Sequence, residues 1–159
     1  MITVRVLEPE DAPLVWDLLY HALHVPAGHP PFPLSIVREP ALSRYADAGG
    51  RPNDHGLVAL GGEEPLGGAW LRLFTAEEPG FGFVDALTPE LSVAVLPRHR
   101  GRGIGTSLVH GLLAVAREHF LAVSLSVSTT NPAVRLYERL GFTLLAQRDS
   151  SFVMIQRWA

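Results

Sequence analysis

No cysteine occurs in the 159 residues. Disulfides, thiolate metal centres and a cysteine nucleophile are therefore excluded. Lysine is absent too, since all thirteen basic residues are arginine. The chain thus lacks a Schiff-base amine and the lysine of a Walker-type phosphate site. No apolar run is long enough to cross a bilayer. The opening Met1-Ile2-Thr3-Val4-Arg5-Val6 has no basic-then-apolar secretion pattern and reads as a strand, so a cytoplasmic location is the expectation. Acidic residues outnumber basic ones sixteen to thirteen, for a net charge of −3, which disfavours a nucleic-acid binder. No metal-ligand constellation stands out, because His21 and His24 lie one helical turn apart without a third partner.

Hydrophobic residues make up 47% of the chain and charged residues 18%, the balance of a folded globule. The length suits one domain, expected to span 1–159, with neither repeat nor linker. Asp11 to Leu23 has helical periodicity, with Leu14, Leu18 and Ala22 on one face. Four prolines between Val25 and Pro33 mark a loop. Ser35 is positioned to cap a second helix reaching about Ala48. Gly56–Leu60 and Leu66–Phe74, joined by a glycine-containing loop, read as a hairpin.

Leu91 to Leu96 is a further strand. A helix from about Gly103 to His119 follows, with apolar stripes on two sides: Ile104, Leu108, Leu112 and Val115, then Val109, Leu113, Ala116 and Phe120. Ala122 to Ser128 alternates Val123, Leu125 and Val127 with serines, the period of a strand. Asn131-Pro132 opens a short helix that Gly141 ends. Strands near Phe142–Gln147 and Phe152–Arg157 close the chain, and exposed strands such as Phe152–Ile155 offer an edge for pairing between subunits. The order of elements is that of an α/β layer with helices on both sheet faces.

Between strand and helix lies Arg100-Gly101-Arg102-Gly103-Ile104-Gly105-Thr106. Glycines let backbone N–H groups turn toward a ligand, and a helix N-terminus adds partial positive charge. Such a turn suits an anion, a pyrophosphate above all. The plain alternative is a tight turn with no ligand. A P-loop is ruled out, since GxxxxGK[ST] is absent. A dinucleotide GxGxxG is ruled out by Thr106 and by the late position of the turn.

Arg100 to Gly105 resembles the [QR]-x-x-G-x-[GA] signature of the GNAT N-acetyltransferase superfamily. Asn131-Pro132-Ala133, followed by Tyr137-Glu138-Arg139-Leu140-Gly141-Phe142, is similar to the same family's N-x-A…Y-x-x-x-G-F segment. The resemblance covers about Glu90 to Phe142. It implies a mixed, mostly antiparallel central sheet with a splayed parallel strand pair. It implies acetyl-CoA as co-substrate, with its amide arm paired to the backbone of Val93 and Val95 and its pyrophosphate on Arg100, Gly101, Arg102, Gly103, Ile104, Gly105 and Thr106. Asn131 caps its helix and, by the resemblance, also touches the coenzyme arm.

The implied reaction moves an acetyl group to a primary amine by direct attack in a ternary complex. The acceptor is a small molecule or an amino-acid or peptide N-terminus. Tyr137 is the implied general acid; the alternative is a core tyrosine on the face of Ala133, Leu136 and Leu140. Glu90 is the candidate base, directly or through water, with Asp85 as substitute; the alternative is a solvated strand-end carboxylate. Val93 N–H is the candidate oxyanion donor. The rival from another class is an acyl-CoA-binding sensor without turnover. Neither a nucleic-acid nor a membrane partner is expected, and the protein is a monomer or homodimer.

Overall fold

The structure, a computed structural model, describes residues 1–158. Its strands are β1 (Ile2–Val6), β2 (His55–Gly61), β3 (Glu64–Arg72), β4 (Glu90–Val95), β5 (Ala122–Ser128), β6 (Thr143–Arg148) and β7 (Ser151–Arg157). The helices are α1 (Ala12–Ala22), α2 (Pro40–Ser43), α3 (Ile104–His119) and α4 (Ala133–Arg139). The strands form one seven-stranded sheet in the order β1-β2-β3-β4-β5-β7-β6. Every pairing is antiparallel except β4 with β5. The mixed, mostly antiparallel α/β sheet expected from the sequence is therefore what forms.

Two apolar clusters sandwich the sheet. On one face α3 and α4 cover Leu57, Leu71, Leu91, Leu125 and their neighbours. On the other, α1 and the segment from Ile36 to Ala46 cover Trp70, Phe74 and Ala94. The two stripes of α3 explain its depth: Leu108, Val109, Leu112 and Ala116 are wholly buried. Truncating Leu112 to alanine would remove about 2–5 kcal/mol of stability, the usual cost of a core leucine. Cover on both faces also explains why Ser124 is buried although its neighbours alternate in polarity.

The feature that positions the site is the shortness of the β4–β5 ladder. Only Glu90 and Ser124 are paired, with Ser124 N–H donating to Pro89 O at 3.0 Å. Beyond them the two parallel strands diverge. β4 stays fully paired to β3 on its other side, from Arg72–Glu90 to Gly67–Val95.

Two expectations are corrected. The stretch from Ser35 to Ala48 is not one helix. It is a 3-10 turn (Leu34–Arg38), the short α2, and a second 3-10 turn (Asp47–Gly49). Pro40 is the cause, because its ring disfavours a helical residue before it. Glu39 is extended, with ψ of 138°, and α2 restarts at Pro40 itself. The second correction concerns Phe152–Ile155. These residues lie in β7, which is paired to β5 on one side and β6 on the other, so they offer no free edge. The sheet's edges are β1 and β6.

Candidate active site

The glycine turn enters α3 through two left-handed residues. Gly101 and Gly103 have φ of 77° and 78°, a region that side chains with a Cβ disfavour. Among the described residues, none of the amides from 100 to 106 donates to a protein acceptor. Ser107 N–H is the first that does, to Gly103 O at 3.1 Å. A run of free amides at the N-terminus of a sixteen-residue helix is an arrangement that can hold an anion.

The arginines differ in role. Arg100 Nε donates to Val95 O at 3.0 Å, and its other end reaches His21 O at 3.2 Å. It ties the cradle to β4 and α1. The Arg102 side chain turns to His99 Nδ1 at 3.3 Å and does not line the cleft. Its backbone remains part of the turn.

Register determines which backbone groups face the gap. Leu96 N–H donates to Leu66 O, so the two-residue period of the ladder points the backbone of Ala94, Ser92 and Glu90 toward β3. Leu91, Val93 and Val95 point theirs the other way. At Val93 and Val95 β5 has already diverged, leaving polar groups for an amide-bearing partner, except that Val95 O already accepts from Arg100.

Glu90 stands where the strands part. Its carboxylate is 4% exposed, on the α1 side of the sheet, so it is not a solvated strand end. Oε2 accepts from the Tyr45 hydroxyl, and Oε1 accepts from Gly82 N–H at 2.9 Å. Burial raises its pKa to about 7. The hydrogen bonds from Tyr45 and Gly82, and the positive charge of Arg148, restrain that rise. A carboxyl poised near neutrality is what a general base needs.

Tyr137 approaches the same gap from the opposite face, on α4. Its ring packs edge-on against Phe142 at 5.9 Å between centroids. Burial alone pushes its pKa up to about 12, with no hydrogen bond contributing. It therefore stays protonated near neutral pH. Asn131 Oδ1 accepts Ala133 N–H at 2.9 Å, so it does serve as a cap. It also faces the cleft. Asp85 is exposed and accepts Leu87 N–H at 2.9 Å in its own turn, away from the gap. No group of three metal-ligating side chains occurs among the described residues.

Two cavities meet here. One of about 1070 Å³ runs from the cradle along Val93, Val95 and α4. The other, about 350 Å³, opens on the α1 side and holds Glu90, Tyr45 and Phe81. Both are lined by His24, Val93, Asn131 and Tyr137. A two-ended passage through the sheet results, with an anion cradle at one end and a carboxyl in the other.

Sequence reasoning missed the supports of Glu90. Tyr45 fell inside the stretch read as helix. Gly80 and Gly82 lie between the expected strands Leu66–Phe74 and Leu91–Leu96, outside every expected element. A Cβ on Gly80 would collide with the Glu90 carboxylate, and one on Gly82 would lie 2.7 Å from the Leu125 carbonyl carbon. Their alternate spacing was the available signal of a close approach. Ser124 Oγ completes the contact by donating to Gly82 O at 2.7 Å.

Comparison with known proteins matches this architecture. The model of the acetyltransferase (GNAT) family matches residues 16–142. The L-methionine sulfoximine/L-methionine sulfone acetyltransferase of Salmonella typhimurium is 36% identical over 74 residues, covering 45% of this chain and 43% of that protein. The chain thus aligns to less than half the length of that relative. Among solved structures, yncA of Salmonella typhimurium with its cofactor acetyl-CoA superposes with a TM-score of 0.71 at 24% identity, over 99% of this chain and 94% of that one. The paia N-acetyltransferase of Thermoplasma acidophilum, in complex with coenzyme A, gives 0.68 at 16% identity over 99% of both chains. At these identities the likeness is one of fold.

Proposed function

Since the chain belongs to the acetyltransferase (GNAT) family, we propose that it transfers the acetyl group of acetyl-CoA to a primary amine. The amine belongs to a small molecule or to an amino-acid or peptide N-terminus, and transfer occurs by direct attack in a ternary complex. The observation that carries this reading is the placement of Glu90 and Tyr137 in one passage, approaching from opposite faces of the sheet. Free amides from 100 to 106 and the gap-facing backbone of Val93 support the donor's diphosphate and amide arm.

The protons balance with these groups. Glu90 takes a proton from the acceptor ammonium, directly or through water, and frees the nitrogen lone pair. The nitrogen forms a C–N bond to the thioester carbon, and Val93 N–H supports the developing oxyanion. The C–S bond breaks with its electron pair on sulfur, and Tyr137 O–H gives its proton to the thiolate. The second nitrogen proton leaves to solvent or back to the tyrosine oxygen. The products are an amide and a thiol.

The test is release of free thiol from acetyl-CoA across a panel of primary amines, with acetyl-CoA binding followed separately by calorimetry. Thiol release that requires an amine supports transfer. Tight binding without release for any amine would replace this reading with a sensor module.

A further inference from the structure

The smaller cavity has a one-sided chemistry. At about 350 Å³ it lies near the lower bound of small-molecule sites. Among the described residues Glu90 is the only carboxylate on its lining, and no arginine lines it. Two arginines are close enough for their charge to act on Glu90 or Tyr45. Arg148 donates to Phe83 O at 3.2 Å, and Arg44 donates to Pro40 O and Pro79 O. Both are engaged on backbone carbonyls. The remaining titratable side chains of the lining are the two tyrosines and His24, whose Nε2 lies 3.2 Å from Thr130 Oγ1.

Leu19, Leu23, Phe32, Ile36, Leu42 and Phe81 form the apolar walls. Phe81 is 52% exposed, unusual for a phenylalanine. Its ring is stacked on Tyr45 at 6.3 Å and 12° between planes. Tyr45 in turn holds Glu90. An aromatic lip thus leads to a single carboxyl.

Resting on the acetyl-transfer reading, we infer that the acceptor is a small monoamine on an uncharged apolar body, aromatic or branched aliphatic, with no carboxylate or phosphate beside the amine. One ammonium finds Glu90. A second ammonium has no further carboxylate in the cavity, which excludes polyamines as good acceptors. An acceptor carboxylate would be buried beside Glu90 without a cation, an arrangement that costs several kcal/mol. An apolar body instead gains by displacing water from the walls.

Amine and amino-acid pairs that differ only in the carboxylate isolate this effect. The probes are 2-phenylethylamine against L-phenylalanine, isoamylamine against L-leucine, and spermidine and L-methionine sulfoximine as charged comparators. With acetyl-CoA as donor, kcat/KM for each monoamine is expected to exceed that of its amino acid by about 100-fold or more, as discrimination against an unpaired buried charge requires. Phe81→Ala removes the half-exposed lip. It is expected to raise KM for 2-phenylethylamine about tenfold while leaving KM for acetyl-CoA unchanged.

Equal or better turnover of the amino acids or of spermidine would overturn the inference and leave acetyl transfer standing. An unchanged KM for 2-phenylethylamine in Phe81→Ala would also count against it. Absence of thiol release with every amine overturns the transfer reading and the inference together.

Discussion

The hydroxyl of Tyr45 donates to Glu90 Oε2, a contact between residues 45 apart in sequence, and the same hydroxyl oxygen accepts Phe81 N–H at 2.7 Å. Tyr45 is itself held in place. Trp70 Nε1 donates to Tyr45 O at 3.0 Å. Arg72, 3% exposed, donates to Arg44 O at 3.0 Å and Asp47 O at 2.9 Å, bracketing the tyrosine. Arg72 and Glu90 are partners in the β3–β4 register, so both side chains leave the sheet on one face. The irregular segment that replaced the expected helix is therefore pinned by the strand beside the candidate base.

Tyr45→Phe removes a hydrogen bond to the charged form of Glu90, which lowers the carboxyl's pKa in the intact protein. Without it the pKa rises above about 7. The acid limb of kcat/KM is expected to move up by about one pH unit, with activity at pH 7 reduced about fivefold and recovering at higher pH. A pH–rate profile of both proteins, with 2-phenylethylamine or the best amine found, makes the check. A limb that stays in place would remove Glu90 from the role of base.

The raised pKa of Glu90 also links stability to pH. The unfolded carboxyl ionises near 4.5 and the folded one near 7. Between those values the folded state binds more protons, so stability is full below pH 4.5, falls as pH rises, and levels off above about 7. The loss is on the order of 3 kcal/mol, from the size of the shift. Glu90→Gln cannot ionise and is expected to lack that component. Urea unfolding at pH 5 and pH 8 should show a smaller decline for the variant than for the parent. The same variant should lose about 100-fold or more in kcat while binding acetyl-CoA normally.

How much of this was legible in the sequence depends on how local the signal is. β5 and α3 formed at or within a residue of the expected bounds, because each carries its own periodicity in Val123, Leu125 and Val127 or in Ile104, Leu108 and Leu112. The glycine turn was legible for the same reason, since Gly101 and Gly103 mark their own φ. Tyr45 was not. Its role depends on Glu90, Trp70 and Phe81, and no local pattern couples them. Pro40 was the available warning that the stretch from Ser35 to Ala48 could not be one helix. The place of β7 inside the sheet was likewise invisible, because strand order is a tertiary property. The charge state of Glu90 follows from burial by Gly80 and Gly82, which only the folded chain brings together.

Tyr137→Phe separates a core role from a chemical one. The ring's contact with Phe142 survives in phenylalanine, and the lost hydroxyl has no hydrogen bond contributing to its pKa. Stability is expected to stay within about 1.5 kcal/mol of the parent, as for a near-isosteric swap in a packed core. If the hydroxyl protonates the departing thiolate, kcat falls by about 10- to 100-fold, with KM for both substrates little changed. A more acidic leaving thiol needs less help, so the deficit should shrink with an activated thioester donor. Undiminished kcat would assign Tyr137 to the core alone.

Gly103 and Gly105 allow the cradle to be tested apart from the fold. Gly103 has φ of 78° and open space where a Cβ would go, so the cost of Gly103→Ala is backbone strain of about 1–2 kcal/mol. Gly105 lies in the first turn of α3 without a positive φ, and a Cβ there would touch only Val95 Cγ2 at an ordinary 3.5 Å. Gly105→Ala should leave stability unchanged or raise it by up to about 1 kcal/mol, as alanine favours helix. The methyl group added at 103 stands in open space beside the free amides, where a diphosphate needs close backbone approach, whereas the signature that the turn resembles admits alanine at 105. Gly103→Ala is therefore expected to raise the Kd for acetyl-CoA about tenfold while Gly105→Ala binds it nearly as the parent does, and their effects on thermal unfolding have opposite signs. Calorimetric titration with acetyl-CoA and with a dephosphorylated pantetheine fragment distinguishes the causes. The loss should be confined to the ligand that carries the diphosphate. If Gly103→Ala binds acetyl-CoA as the parent does, the diphosphate lies elsewhere than on these amides.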